Sequence, residues 1–193
     1  MLIGANELTQ LVIGVSLMGA FKNKGRELIA MGPFWEYALC CGAFAKVIGS
    51  RVAGLSQDRC FVAGLIHNVG RLILLRRLPG LMTQVLILAN RERLPLHLAE
   101  RRLLDFDGAD VSLAALTAWK FPPSLSEAAG SLHDPVRLAG DPYARVVHAA
   151  NVAAISQGIG FCGSPYVPAL DADAWALIGL PDSFLALACS QAR

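Results

Sequence analysis

Phe61-Val-Ala-Gly-Leu-Ile-His67-Asn68-Val-Gly-Arg-Leu-Ile-Leu74 decides the reading of this chain. Its apolar residues suit a buried helix, and the segment reads as a helix carrying a His-Asn pair. A His-Asp pair in that setting suits a metal-dependent hydrolase, because a carboxylate bridges divalent cations, carries charge and accepts protons. Asn68 is nearly the same shape but neutral, and it is a weak ligand for a hard cation. The segment therefore reads as a hydrolase's active-site helix with its chemistry switched off.

The rest of the chain sets the bounds. Its 193 residues suit one domain. Hydrophobic residues make up 54% and charged residues 17%, which points to a large core or an unfilled interface. A net charge of +2 gives no reason to expect nucleic acid as partner. The five cysteines, with Cys40 and Cys41 adjacent and no CxxC, argue against a disulfide framework and a Cys-based zinc site. Free thiols in a cytoplasmic protein are the expectation. The charge-free stretch Leu8 to Phe21 has only 14 residues and contains Thr9, Gln10 and Ser16, short of the ~20 apolar residues of a membrane span, so no membrane insertion is expected.

Helical patterns account for almost all of the sequence. Leu8, Leu11, Val12, Val15 and Met18 share one face of a helix over 5–21. Pro33 opens a helix to about Ile48. Ser56 caps the motif helix over 57–68, Leu72 to Leu78 is a short helix or turn stopped by Pro79-Gly80, and Leu81 to Arg91 is helical. Further helices are expected over 95–104, from Asp107 to Trp119, after the capping box Ser124-Leu-Ser-Glu127, and from Asp141-Pro142 through Ser156. A Gly/Pro-rich loop over 158–168 precedes short helices near 171–179 and 182–190. No segment alternates with period 2, so the fold class is an all-α compact bundle of about eight to ten helices.

Several motifs agree with one family in order and spacing. FVAGLIHNVGRLIL resembles the central motif of the HDOD domain, an HD-related output domain of bacterial signalling proteins. Phe34-Trp35-Glu36-Tyr37-Ala38 resembles that family's helix with a Trp two residues before a His. Glu100, followed by Phe106-Asp107-Gly108-Ala109-Asp110, resembles its Glu and later Phe-Asp-His element. Ala118-Trp119-Lys-Phe-Pro122, Leu132-His133-Asp134-Pro135 and Val147-His148-Ala-Ala-Asn151 resemble its Trp-x-x-Pro, His-His-x-Pro and late Ala-Asp elements. The resemblance runs from about residue 2 to residue 155. It implies an HDOD-like domain over 1–155 without the family's first helices, with 156–193 packing on it as a loop and short helices.

The resemblance also implies what is missing. The early metal-binding His is Tyr37 here, the paired Asp is Asn68, the His of the Phe-Asp-His element is Gly108, the first His of the pair is Leu132, and the late Asp is Asn151. His67 and His133 survive, and two neutral imidazoles make a poor site for Mg²⁺ or Mn²⁺. No catalytic residue, metal or cofactor is expected. A vestigial pocket of His67, Asn68, His133 and Asn151, with Tyr37 and Glu100, either binds a small ligand or is only structural.

Bland roles compete with each of these. His67 suits a hydrogen-bonded core position, His133 a helix end, His97 and His148 surface or packing sites, and Trp35 and Trp119 core anchors. Glu100 can pair with Arg101–Arg102 or another helix, and Arg71, Arg76 and Arg77 read as a solvated basic face, with an anion or phosphate contact as the alternative. The function expected is a non-catalytic cytoplasmic signal-transduction module that binds a signalling protein partner or a nucleotide-like ligand and is open to homo-oligomer formation. The alternatives are a metal-dependent HD-type phosphohydrolase or phosphodiesterase with atypical ligands, and a bare oligomerisation scaffold.

Overall fold

The structure, a computed structural model, describes residues 28–184 together with Val12 and Gly19. The described residues form ten helices and no strand, as the patterns predict. They are α1 (Met31–Gly49), α2 (Gln57–Ile66), α3 (Val69–Arg77), α4 (Pro79–Glu92) and α5 (Leu96–Leu104). After them come α6 (Gly108–Ala118), α7 (Pro123–Gly130), α8 (Pro135–Gly140), α9 (Pro142–Gln157) and α10 (Ala172–Ile178). The amphipathic stripe expected over 5–21 lies outside the described residues, and the helix expected over 182–190 runs out of them after Phe184.

Helix α1 lies at the centre, packed on α2 and α9. Its crossing with α2 is close because two glycines face each other. A Cβ on Gly42 would sit 2.9 Å from the Phe61 carbonyl oxygen, and one on Gly64 would sit 2.9 Å from the Cys41 carbonyl oxygen and Gly42 Cα. This contact fixes the register that sets Tyr37 of α1 beside His67 at the end of α2. Around it one core joins Phe44, Ala45, Ile48, Cys60, Val146, Ala150 and Trp175, and a second joins Val62, Ala63, Ile66, Leu116, Leu125 and Val147. The α4–α5 hairpin closes a third core on Met82, Val85, Leu96 and Ala99.

Helix ends follow their capping chemistry. Ser56, Asp107, Asp134, Asp141 and Asp171 accept from backbone N–H groups in the first turns of α2, α6, α8, α9 and α10. At α6 the box is reciprocal, since the Asp107 N–H donates to Asp110.

Four expectations are corrected. The Ser124–Glu127 box does not form: α7 starts at Pro123 with Pro122 as its N-cap, and Ser126 Oγ turns back to the Pro123 carbonyl. Pro79 does end the preceding helix, as expected, but it also opens α4 at the first-turn position, two residues before the expected Leu81 start, because its missing N–H is unused there. Helix α8 was not foreseen, although its Asp134-Pro135 start repeats the Asp141-Pro142 pattern. Trp119 is 45% exposed and is no core anchor: it ends α6, and Lys120 at φ 59° turns the chain away.

Candidate functional site

The His-Asn pair does not ride inside one helix. Helix α2 ends at Ile66, His67 and Asn68 form a turn, and α3 begins at Val69. Ser112 of α6 holds the break. Its hydroxyl accepts from the Gly70 N–H at 2.9 Å and donates to the His67 carbonyl at 2.7 Å, with the Gly108 carbonyl oxygen also 2.9 Å away. A side chain so placed satisfies backbone groups that the interrupted ladder leaves open. It approaches this closely because residue 70 is glycine: a Cβ there would lie 2.2 Å from the Gly108 oxygen and 2.3 Å from Ser112 N.

His67 is buried and both its nitrogens are engaged. Nδ1 lies 2.6 Å from the Gly64 carbonyl oxygen, which can only accept, so Nδ1 carries the hydrogen. Nε2 lies 2.9 Å from the Tyr37 hydroxyl. Burial pushes the His67 pKa down to about 4, so at neutral pH the ring is uncharged and Nε2 accepts from Tyr37. The same hydroxyl meets Oδ1 of Asn151 in a short contact. A phenol has one hydrogen and cannot donate to both. Turning the Asn151 amide end for end puts its NH₂ on the Tyr37 oxygen and satisfies all three groups. A carboxylate at 151 would instead face that oxygen with no hydrogen to share, which gives a physical reason for Asn here.

Tyr37, His67, Asn68, His133 and Asn151 line one cavity, which Arg71 and His97 share. The cavity is about 20 Å³, room for a compact ion, and it adjoins a larger one of about 230 Å³ that shares Tyr37, Ile155, Cys162 and Ser164 with it. Glu100 does not line it. It is fully buried behind Arg71 and receives the Arg71 Nε at 2.9 Å, an Arg71 terminal nitrogen at 3.3 Å and the Gly108 N–H at 2.9 Å. Glu100 therefore pairs with another helix and not with Arg101 or Arg102. Arg101 binds Asp107 and Asp110, and Arg102 binds Glu92.

Arg71 is correspondingly no part of a solvated basic face. The helical angle could have shown this, since Arg71 and Arg76 are five residues apart and point away from each other at 3.6 residues per turn.

His97 is the other residue that sequence reasoning missed. Its ring stacks on His133 with centroids 3.8 Å apart and planes 10° from parallel. The helix-end role considered for His133 falls to Asp134. His148 packs internally, its Nδ1 donating to the Leu132 carbonyl at 2.7 Å and its Nε2 accepting from the Asp171 N–H at 2.9 Å.

A metal site does not fit these residues. The lone pairs of two stacked imidazoles lie in parallel planes and do not converge on an ion between them. His67 has no nitrogen to spare, and no carboxylate lines the cavity. Among the described residues no group of three or more His, Cys, Asp or Glu side chains could hold a metal ion.

Burial depresses the pKa of all four histidines, most of all His133, with His67 and His97 both pushed to about 4. The unfolded chain takes up these protons near pH 6.5 and the folded chain only near pH 4, so the unfolded state holds more protons in between. Stability is full above pH 6.5 and drains away as pH falls from 6.5 to 4. Melting curves should show a flat Tm from pH 7 to 8.5 and a fall of several degrees by pH 5. A Tm that holds or rises on acidification contradicts these burials.

The architecture defines an all-α bundle whose polar pocket sits at a helix break. The HDOD domain model matches residues 1–135, and the chain belongs to that family. An HDOD domain protein of unknown function from Geobacter sulfurreducens superposes with TM-score 0.76 at 23% identity, over 97% of this chain and 66% of that one. A candidate signal transduction protein from Marinobacter aquaeolei VT8 gives 0.79 at 17% identity, over 99% of this chain and 43% of that one. A candidate phosphohydrolase from Shewanella amazonensis SB2B gives 0.68 at 21% identity, over 96% and 62%. These likenesses establish the fold, and the chain spans less than two thirds of each of these three relatives. No curated protein matches the chain. No single helix among the described residues is long and apolar enough to cross a membrane.

Proposed function

We propose that the chain is a non-catalytic regulatory module that acts in bacterial signal transduction by binding a partner protein. The observation that carries the non-catalytic part is the saturation of His67, whose two nitrogens are spent on Gly64 and Tyr37. Hydrolysis of a phosphoester at such a site would need metal ions to activate water and neutralise charge. Tyr37, Asn68 and Asn151 bring no negative charge for them. The regulatory part draws on the family and on fold neighbours that include the signal transduction protein and the MmoQ response regulator of Methylococcus capsulatus, at TM-score 0.61. In this reading the HDOD-like module extends to about residue 155, the described residues that follow it pack on the same core, and a cytoplasmic setting suits its free cysteines.

A nucleotide-like ligand is disfavoured by the volume of the cavity at His67. The phosphohydrolase neighbour keeps a catalytic reading in play as a second hypothesis. The test is turnover: with Mn²⁺, Mg²⁺ or Zn²⁺ supplied, the protein should release phenolate from bis-p-nitrophenyl phosphate no faster than buffer. A metal-dependent rate that disappears in His67→Ala would establish the hydrolase instead.

A further inference from the structure

Asn68 stands at the break between α2 and α3 and is buried, yet its side chain caps nothing. Its amide nitrogen has no hydrogen-bond partner among the described residues, and Asn68 lines the cavity. A buried amide N–H₂ without an acceptor costs about 1–3 kcal/mol, so an acceptor in the cavity would recover that energy. The cavity's other polar lining has the same bias. Arg71 is a permanent cation held from behind by Glu100, the stacked His97 and His133 both line the cavity, and no Asp or Glu does. A cation would find no carboxylate there, whereas an anion would find donors and positive charge in a poorly hydrated setting.

We propose that this cavity is a site for one small free oxyanion, with the orthophosphate class as its ligand, held by the Asn68 amide, Arg71 and the stacked His97–His133 pair. The proposal rests on reading the pocket as a ligand site and not as a structural relic, and it is independent of whether the chain lacks catalysis. The volume of about 20 Å³ favours a compact ion over a phosphoryl group carrying an organic substituent.

The test is titration of the full chain with sodium phosphate against sodium chloride at matched ionic strength, followed by calorimetry and melting temperature. Phosphate is expected to raise Tm saturably where chloride does not, as a ligand selective for the folded state must. Asn68→Asp keeps the side-chain shape but puts a negative charge in the cavity, and it should weaken phosphate at least tenfold. If that variant does not fold, His97→Gln on half-buried α5 carries the same comparison. Phenyl phosphate should bind at least tenfold more weakly than orthophosphate. The proposal is overturned by a phosphate response no larger than that of chloride, by one unchanged in the variant (an adventitious ion only), or by equal binding of phenyl phosphate. Turnover of the diester ester substrate is a separate readout, so failure here leaves the regulatory reading standing.

Discussion

Glu100→Gln should lower the melting temperature by on the order of 10 °C, the largest effect expected of any single polar substitution in this chain. Glu100 is fully buried and takes three donors, two from Arg71 and one from the Gly108 N–H. Neutralising it leaves the buried Arg71 guanidinium without a counter-charge. Breaking a buried pair from one side costs about 3–5 kcal/mol. Glutamine keeps the shape and one acceptor oxygen, so the loss reports charge and not a cavity. The paired change Arg71→Met with Glu100→Leu removes both charges and should restore most of the stability, since apolar replacement of a whole buried pair is often neutral or better. A Glu100→Gln protein as stable as the parent, or a double variant worse than the single one, contradicts the pairing. Urea melts with a constant slope would make the comparison clean.

Gly70→Ala should be the most damaging one-methyl change. The added Cβ would meet two backbone atoms, the Gly108 oxygen at 2.2 Å and Ser112 N at 2.3 Å, and neither can rotate aside. Helices α3 and α6 would have to part, and with them the Ser112 hydroxyl that bridges Gly70 and the His67 carbonyl. Overpacking of this kind costs about 3 kcal/mol or more. Alanine at Gly80 provides the control, because its Cβ would meet nothing within 4 Å. Equal stability of the two alanine variants would mean that α3 and α6 do not pack as described.

Much of this was legible in the sequence, and the limits were physical. The periodicity and caps of 57–66, 96–104 and 142–157 gave the all-α class, because those signals are local. An end of the motif helix near residue 68 was legible, but what holds the break at His67–Asn68 was not, because Ser112 is 45 residues from the His67 carbonyl it captures. The co-location of Tyr37, His67, Asn68, His133 and Asn151 followed from family resemblance. Their hydrogen bonding did not, since it depends on the Gly42–Gly64 crossing that sets Tyr37 against His67. Glu100 was assigned to the pocket because motif order preserves sequence position but not the direction a side chain points. It faces Arg71 instead. His97 was overlooked because it matches no motif, and its stacking partner is 36 residues away in the chain.

The central claim is that this HDOD pocket has exchanged metal ligation for internal hydrogen bonding. Metal content measured by mass spectrometry tests it most directly, on untagged protein purified with Mn²⁺, Mg²⁺ and Zn²⁺ available and then freed of loosely bound ions. The account predicts well below one ion per chain, unchanged by His67→Ala. One or more tightly held ions per chain, lost in His67→Ala, would contradict it.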